Sequence, residues 1–241
     1  MTTLIAIGCS HTHGSMIDGV SGSTEENISK TFSARIAQRH GFKYHNLGLG
    51  GGSNAYIYRT ATKFINEHMK PNEDYLFLIG WTSPNRQELR YPDNSMYVYN
   101  TLCEFVDQKY MPYSYGTADH LFLSAEAKGI MKSQDLLFFE EILLDNWATY
   151  ALVLQNLFKR KKIKYLQFNT CHEMWTTPTN TSIIEKLDRT HYIDPLSREK
   201  SFVYWSLDRG FEMTPCWHFR EDAHDAWSEF LEKHLIKLGY L

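Results

Sequence analysis

"TTLIAIGCSHTHG", residues 2–14, joins an apolar run to a polar turn, and this junction decides the fold class. The run at 2–8 is short, continuously apolar and ended by glycine, which is typical of a strand buried on both faces of a sheet. "DYLFLIGW" (74–81) has the same character, "KIKYLQFNT" (162–170) is a further strand, and 43–54 predicts a short strand followed by a glycine-rich turn. Fully buried strands are typical of parallel sheets, so the sequence predicts an α/β fold.

The segments between these strands have helical periodicity. The predicted helices are 27–40, with Asn27 as a candidate N-cap, a helix capped by Ser53 or Asn54, then 134–160 and 221–239. Strands that alternate with helices form a mainly parallel sheet covered on both faces. We therefore expect a three-layer, doubly wound architecture.

The chain has 241 residues, enough for one large domain or two small ones. Because no linker, repeat or low-complexity segment divides it, we predict a single domain over 1–241. A tyrosine-rich stretch at about 87–132 breaks the alternation of strands and helices. Long stretches without periodicity inside a compact domain are usually functional excursions or lids.

Charge and hydropathy exclude two classes of partner. The formal net charge is −3 and the only basic run, "KRKK" (159–162), ends a predicted helix, so the basic stripe of a nucleic-acid-binding protein is missing. No apolar run approaches the ~20 residues of a membrane span, so we expect no membrane partner. No segment resembles a signal peptide, which predicts cytoplasmic synthesis.

The cysteines and histidines give a weak metal signal. The four cysteines, Cys9, Cys103, Cys171 and Cys216, are scattered without a CxxC pair, so neither a zinc ribbon nor a disulfide framework is indicated. A metal site could use His11 and His13 with Cys171, His172 and His218. A His-x-His after a first strand also occurs in metal-dependent amidohydrolases, but those are eight-stranded barrels and only four or five strands are evident here. We predict no metal and no other cofactor.

Three of the predicted strands end in turns that a parallel sheet would bring to one edge, where ligands of such sheets bind. They are the first turn "GCSHTHG" (8–14), the glycine loop "GLGGGSN" (48–54) and the third turn "GWTSPNR" (80–86). A fourth stretch, "CWHFREDAH" (216–224), places a histidine just before the last helix. These polar turns are the candidate site.

In this order, the four stretches resemble the sequence blocks of the GDSL/SGNH hydrolase family. "GCS" matches the nucleophile block with Cys9 in place of Asp, which implies that Ser10 is the nucleophile. "NLGLGG" (46–51) matches the pattern Asn-x-Gly-x-x-Gly and implies that Gly51 contributes to the oxyanion hole. "PCWH" aligns with the last block and implies that His218 is the base. The tail is also similar to divergent members associated with phages, and a phage origin would make virion association an expectation.

The resemblance departs from the family at two places. The oxyanion-hole asparagine is replaced by Thr82, or by Ser83 if the register slips. The aspartate that orients the histidine is replaced by Pro215, so Asp208, Glu212 or a main-chain carbonyl would have to hold the ring of His218. His224 is expected to pack near the site as a helix residue rather than to act as a second base.

The resemblance implies a flavodoxin-like SGNH architecture with an irregular insertion. It also implies a serine esterase or acyltransferase that acts on an acyl ester of a carbohydrate or small polar alcohol. The alternative is a catalytically silent binding or structural protein that has kept the fold, which the two missing family residues favour. The sequence predicts neither the oligomeric state nor the choice between hydrolysis and transfer.

Overall fold

The computed structural model describes residues 1–19, 24–84, 86–90, 96–100, 136–171 and 182–241. The strands are β1 (Thr2–Gly8), β2 (Lys43–Asn46), β3 (Asp74–Trp81), β4 (Arg86–Arg90), β5 (Met96–Asn100) and β6 (Lys164–Asn169). Four of them form a parallel sheet in the order β2-β1-β3-β6. This order requires a crossover on each side of β1, which is the doubly wound arrangement.

Helices cover both faces of this sheet, which confirms the three-layer α/β prediction. They are α1 (Ser10–His13), α2 (Glu25–Ser29), α3 (Phe32–His40), α4 (Asn54–Glu67), α5 (Leu136–Lys161), α6 (Phe202–Leu207) and α7 (Glu221–Lys237). Two short 3₁₀ turns, Ile184–Lys186 and Arg198–Lys200, lie between β6 and α6. Helices α4 and α5 pack on one face, and α3 and α7 on the other.

The alternation of side chains along β1 divides the core into two layers. Ile5 and Ile7 point to the layer shared with α4 and α5, whereas Leu4 and Ala6 point to the layer shared with α3 and α7. All four are completely buried. A strand buried on both faces has no polar side to show in its sequence, which explains the continuous apolar run.

The predicted helix over 27–40 is wrong as a single element. It is two helices, α2 and α3, because the hydroxyls of Thr24 and Thr31 cap separate helix starts. Thr31 takes an extended conformation, and its Oγ1 accepts from the amide of Ala34 at 3.3 Å. Asn27 is therefore not the N-cap: it lies inside α2, where its amide donates to Thr24.

The tyrosine-rich excursion lies mostly outside the described residues. Within it, β4 and β5 form an antiparallel hairpin, with Arg86 opposite Asn100 and Arg90 opposite Met96. The single domain over 1–241 stays a prediction. None of the helices in the described part of the chain is long and apolar enough to span a membrane.

Candidate active site

The first turn (8–14) places Ser10 at the end of the central strand β1. Cys9 keeps an extended backbone and Ser10 begins the short helix α1, which Gly14 ends by donating its amide to the Ser10 carbonyl at 3.0 Å. Ser10 is buried, with 4 % of its surface exposed. Gly8 permits this tight strand-to-helix change, because a Cβ there would lie 2.1 Å from the hydroxyl of Thr12.

The glycine loop (48–54) packs directly against the first turn. The side-chain amide of Asn46 donates to the Thr12 carbonyl at 2.9 Å, and its oxygen accepts from the Gly48 amide at 2.9 Å. A Cβ at Gly48 would lie 2.8 Å from the backbone nitrogen of His13, so this close approach requires glycine. Gly51 takes a positive φ of 74° and has open space around it.

The third turn (80–86) is attached to the glycine loop through Asn54. The Asn54 side chain accepts from the Thr82 amide at 2.9 Å and donates to the Thr82 carbonyl at 3.0 Å. This bonding occupies the backbone of Thr82, whereas its hydroxyl is buried and has no hydrogen-bond partner among the described residues. The hydroxyl of Thr82 therefore keeps its hydrogen-bonding capacity unused by the described residues. Ser83 is also buried.

His218 reaches the same edge from the far end of the chain. It lies in a tight loop before α7, in which the Thr214 amide donates to the His218 carbonyl at 2.7 Å. Its neighbour Trp217 takes a positive φ of 61° and is 45 % exposed. His218 itself is buried.

The ring of His218 is oriented by a main-chain carbonyl. Its Nδ1 lies 2.8 Å from the carbonyl oxygen of Cys216, and since a carbonyl only accepts, Nδ1 carries the proton and donates it. In the neutral ring, Nε2 then carries the lone pair. Of the three groups expected from the sequence, the carbonyl therefore fills the role, and the hydrogen bond uses neither Asp208 nor Glu212.

His11 provides the contact between the two ends of the chain. Its ring centroid lies 4.9 Å from that of His218 and 5.4 Å from that of Phe202. Because His11 follows Ser10 in α1, this contact brings His218 against the first turn. A hydrogen bond between Ser10 Oγ and His218 stays a prediction. The sequence presented His11 only as a metal ligand, since its packing depends on the last loop.

Burial favours the neutral form of the histidines of the site by lowering their pKa values. It lowers the pKa of His218, an effect opposed by the Cys216 carbonyl and Cys9 and supported by the charge of Arg86. Burial also holds the pKa of His11 well below its ordinary value, with a smaller contribution from His218. Burial lowers the pKa of His224 to about 3, and its ring stacks on Phe32 inside the core as a packing residue.

The described residues contain no group of three His, Cys, Asp or Glu that could hold a metal ion. His172, one of the ligands of the metal alternative, lies outside them. His13 turns its Nδ1 to the hydroxyl of Ser15 at 3.2 Å.

The sequence did not identify Asn54 as the partner of Thr82, nor the Cys216 carbonyl as the specific partner of His218. Each pairing depends on which residues meet in the folded chain, and no local sequence pattern contains that information.

No protein-family model matches the chain, and no curated protein sequence matches it. Solved structures do. A carbohydrate esterase family 2 enzyme with a carbohydrate-binding domain, from Corynascus thermopiles (Myceliophthora fergusii), superposes with a TM-score of 0.52 at 12 % identity, over 99 % of this chain and 67 % of that one.

Two further structures match with lower scores. An acetyl xylan esterase from the rumen bacterium Butyrivibrio proteoclasticus has a TM-score of 0.46 at 13 % identity, over 100 % of this chain and 64 % of that one. A protein assigned to the lipolytic G-D-S-L family from Desulfitobacterium hafniense has a TM-score of 0.44 at 13 % identity, over 98 % and 100 %. The chain thus spans about two thirds of the two esterases. Together with the sheet order, the likeness to the family 2 enzyme shows that this chain shares the α/β fold of that enzyme.

Proposed function

We propose that this protein is a serine esterase or acyltransferase in which Ser10 is the nucleophile and His218 the base. The observation that carries the proposal is the contact of the His218 ring with His11, the residue after Ser10, at a centroid distance of 4.9 Å. Two segments more than two hundred residues apart meet at the carboxyl end of β1, with the proton of His218 already held on Nδ1. This arrangement suits a base for the Ser10 hydroxyl.

In the proposed reaction, Ser10 Oγ attacks the ester carbonyl while Nε2 of His218 accepts the hydroxyl proton. The proton then passes to the departing alcohol, which leaves an acyl group on Ser10. Water completes hydrolysis, and a second alcohol in its place completes transfer. The amides of Ser10 and Gly51 and the hydroxyl of Thr82 are proposed to donate to the oxyanion.

The proposed substrate is an acyl ester of a carbohydrate or another small polar alcohol. Its support is the fold shared with a carbohydrate esterase, together with the exposed face of Trp217 beside His218. The Cys216 carbonyl is a neutral acceptor, so it stabilises the imidazolium less than the usual carboxylate would. We therefore expect slow turnover.

The second candidate is a catalytically silent protein that has kept the fold. The neutral acceptor behind His218 is the observation that favours it, because a carboxylate is the partner that the resemblance leads one to expect. The two candidates differ in whether Ser10 is activated for attack.

A fluorophosphonate tests this difference, because it reacts with an activated serine and needs no knowledge of the substrate. We expect peptide mapping to find the label on Ser10 in the wild type and in Ser15→Ala, which removes another buried serine hydroxyl, directly after the first turn. Ser10→Ala should not be labelled. An unlabelled wild type, or a label on another serine, would favour the silent protein.

A further inference from the structure

Two cysteines from distant parts of the sequence lie together beside the first turn. Cys9 follows β1 and Cys171 follows β6, and the two thiols lie close enough for Cys171 to influence that of Cys9. The Cys9 sulfur also lies 3.2 Å from the hydroxyl of Thr170, the residue before Cys171. Neither thiol has a part in the proposed acyl transfer.

The sheet order explains why these two cysteines meet. Both the amide and the hydroxyl of Thr170 donate to the carbonyl of Trp81, each at 2.7 Å, so the chain directly after β6 stays attached to the end of β3. A Cβ at Gly80 would lie 2.8 Å from the Thr170 methyl group, so glycine allows this approach. Because β3 lies between β1 and β6, its end is the place where Cys9 and Cys171 can reach each other.

The environment of the pair favours a thiolate. The hydrogen bond with Cys171 holds the pKa of the Cys9 thiol well below its ordinary value, although burial acts to raise it, and the charge of Arg86 also favours the anion. A thiolate is the reactive form of cysteine toward peroxides and disulfides. Cys9 is fully buried, whereas Cys171 keeps 8 % of its surface exposed, so Cys171 is the more accessible cysteine of the pair.

We propose that Cys9 and Cys171 form a redox switch that closes to a disulfide when the protein meets hydrogen peroxide. The thiolate of the pair attacks one peroxide oxygen, the O–O bond breaks, and a sulfenic acid and hydroxide form. The hydroxide removes the proton of the partner thiol. The partner thiolate then attacks the sulfenic sulfur and displaces a second hydroxide. One thiolate, one thiol and one peroxide thus give one disulfide, one water and one hydroxide.

Closing the bridge moves the first turn. Strands β1 and β6 are both neighbours of β3, so they lie about two strand spacings, roughly 10 Å, apart. A disulfide holds its two sulfurs about 2 Å apart, closer than two thiols in contact can lie, so Cys9 and Cys171 must be drawn together. Cys9 is joined to Ser10 by a peptide bond, and so the nucleophile shifts with it. A bridge that strains the backbone is also readily reduced, which makes the switch reversible.

Peptide mapping tests the pair without reference to activity. The wild type is treated with hydrogen peroxide, the remaining thiols are alkylated, and linked peptides are identified by mass spectrometry. We expect a linked Cys9–Cys171 peptide that dithiothreitol removes. Cys216→Ser, the matched control, should still form it, whereas Cys9→Ser and Cys171→Ser should not. The wild-type map decides the matter even if a serine variant does not fold.

The activity measurement rests on the proposed function. Hydrolysis of a short aryl ester should fall about tenfold or more on oxidation, because a displacement of about 1 Å is enough for such a loss, and should return with dithiothreitol. Cys171→Ser should resist peroxide. The absence of the linked peptide, a link to Cys103 or Cys216, or linkage with unchanged hydrolysis would overturn the switch. A reduced wild type without hydrolysis would instead overturn the proposed function, and the peptide map would still decide the pairing.

Discussion

The first turn and the loop that carries His218 reach the same edge of the sheet under different constraints. The first turn is held by close contacts that leave no room for larger side chains: a Cβ at Gly8 would meet the Thr12 side chain and the Gly80 carbonyl oxygen, and one at Gly48 would meet the backbone of His13. The loop of His218 instead holds its ring through a carbonyl, which any residue at position 216 would supply. Residue identity is therefore restricted in the first region and free to change in the second.

This difference explains where the chain departs from the family pattern. The pattern Asn-x-Gly-x-x-Gly is complete at 46–51, where Asn46 and Gly48 fit against α1. The departures fall at Thr82 and Pro215, where the resemblance expects side-chain donors and acceptors. Asn54 fixes the backbone of Thr82, and the Cys216 carbonyl orients His218. A neighbouring group can take over a hydrogen bond, whereas no other residue can replace glycine at a close backbone contact.

The largest expected effect is the loss of hydrolysis on substituting Ser10, in the first turn, or His218, in the second region. Ser10→Ala and His218→Ala should each lower kcat for a short aryl ester by about 10³-fold or more, and the double variant should be no slower than either, because the residues act as a unit. His68→Ala, an exposed histidine at the end of α4, is the matched control and should leave the rate unchanged. Losses that multiply in the double variant would mean that Ser10 and His218 are not partners.

Gly48→Ala tests the restricted region. The new Cβ would meet backbone atoms of His13 at 2.8 and 2.9 Å, so α1 must shift. We expect a loss of about 2 kcal/mol in the free energy of unfolding and a melting temperature lower by about 5 °C. Gly41→Ala is the control, since its φ is +63° but no atom lies within 4 Å. It should destabilise by about 1 kcal/mol without changing the hydrolysis rate.

A melting temperature for Gly48→Ala equal to that of Gly41→Ala would refute the restriction. A hydrolysis rate of Gly48→Ala equal to that of the wild type would also refute it, because a shift of α1 carries Ser10 with it.

The sequence was sufficient to predict those elements whose ends are set by a local pattern of residues. Strands β1 and β3 were predicted with their observed ends, since continuous apolar runs end there at a polar turn. The division between α2 and α3 was missed because threonine at 31 is compatible with both a helix interior and a cap. Pairs such as Asn54 with Thr82, or Cys9 with Cys171, depend on strand order, which no local pattern contains.

Thr82→Val tests one of the two positions at which the chain departs from the family pattern. The valine keeps the shape and removes a buried hydroxyl that has no hydrogen-bond partner among the described residues, so stability should not fall. Hydrolysis should fall about tenfold to a hundredfold, because one donor to the oxyanion is lost. Thr12→Val removes another such hydroxyl, in α1, and should change neither quantity. Equal rates for the two variants would exclude Thr82 from the oxyanion hole.

The smallest expected effect is a displacement of the pH profile. Burial lowers the pKa of His218, and only the neutral ring can accept a proton from Ser10. As pH falls through the ordinary histidine value of about 6.5, the ring therefore stays neutral, and the rate declines only below that pH. We expect the acid limb of fluorophosphonate labelling at Ser10 to lie below pH 6.5, with His218→Ala unlabelled throughout.

Acid unfolding would also lower the labelling at Ser10, so it must be distinguished from this acid limb. It is expected because buried His224 has a pKa of about 3 in the folded protein. Between that value and about 6.5 the unfolded chain binds the additional proton, so stability is complete above pH 6.5 and decreases as pH falls below it. Tryptophan fluorescence at each pH would show whether the protein remains folded, and only those points belong to the profile. A limb centred at or above pH 6.5 would mean that the group activating Ser10 is exposed to solvent, unlike the buried His218.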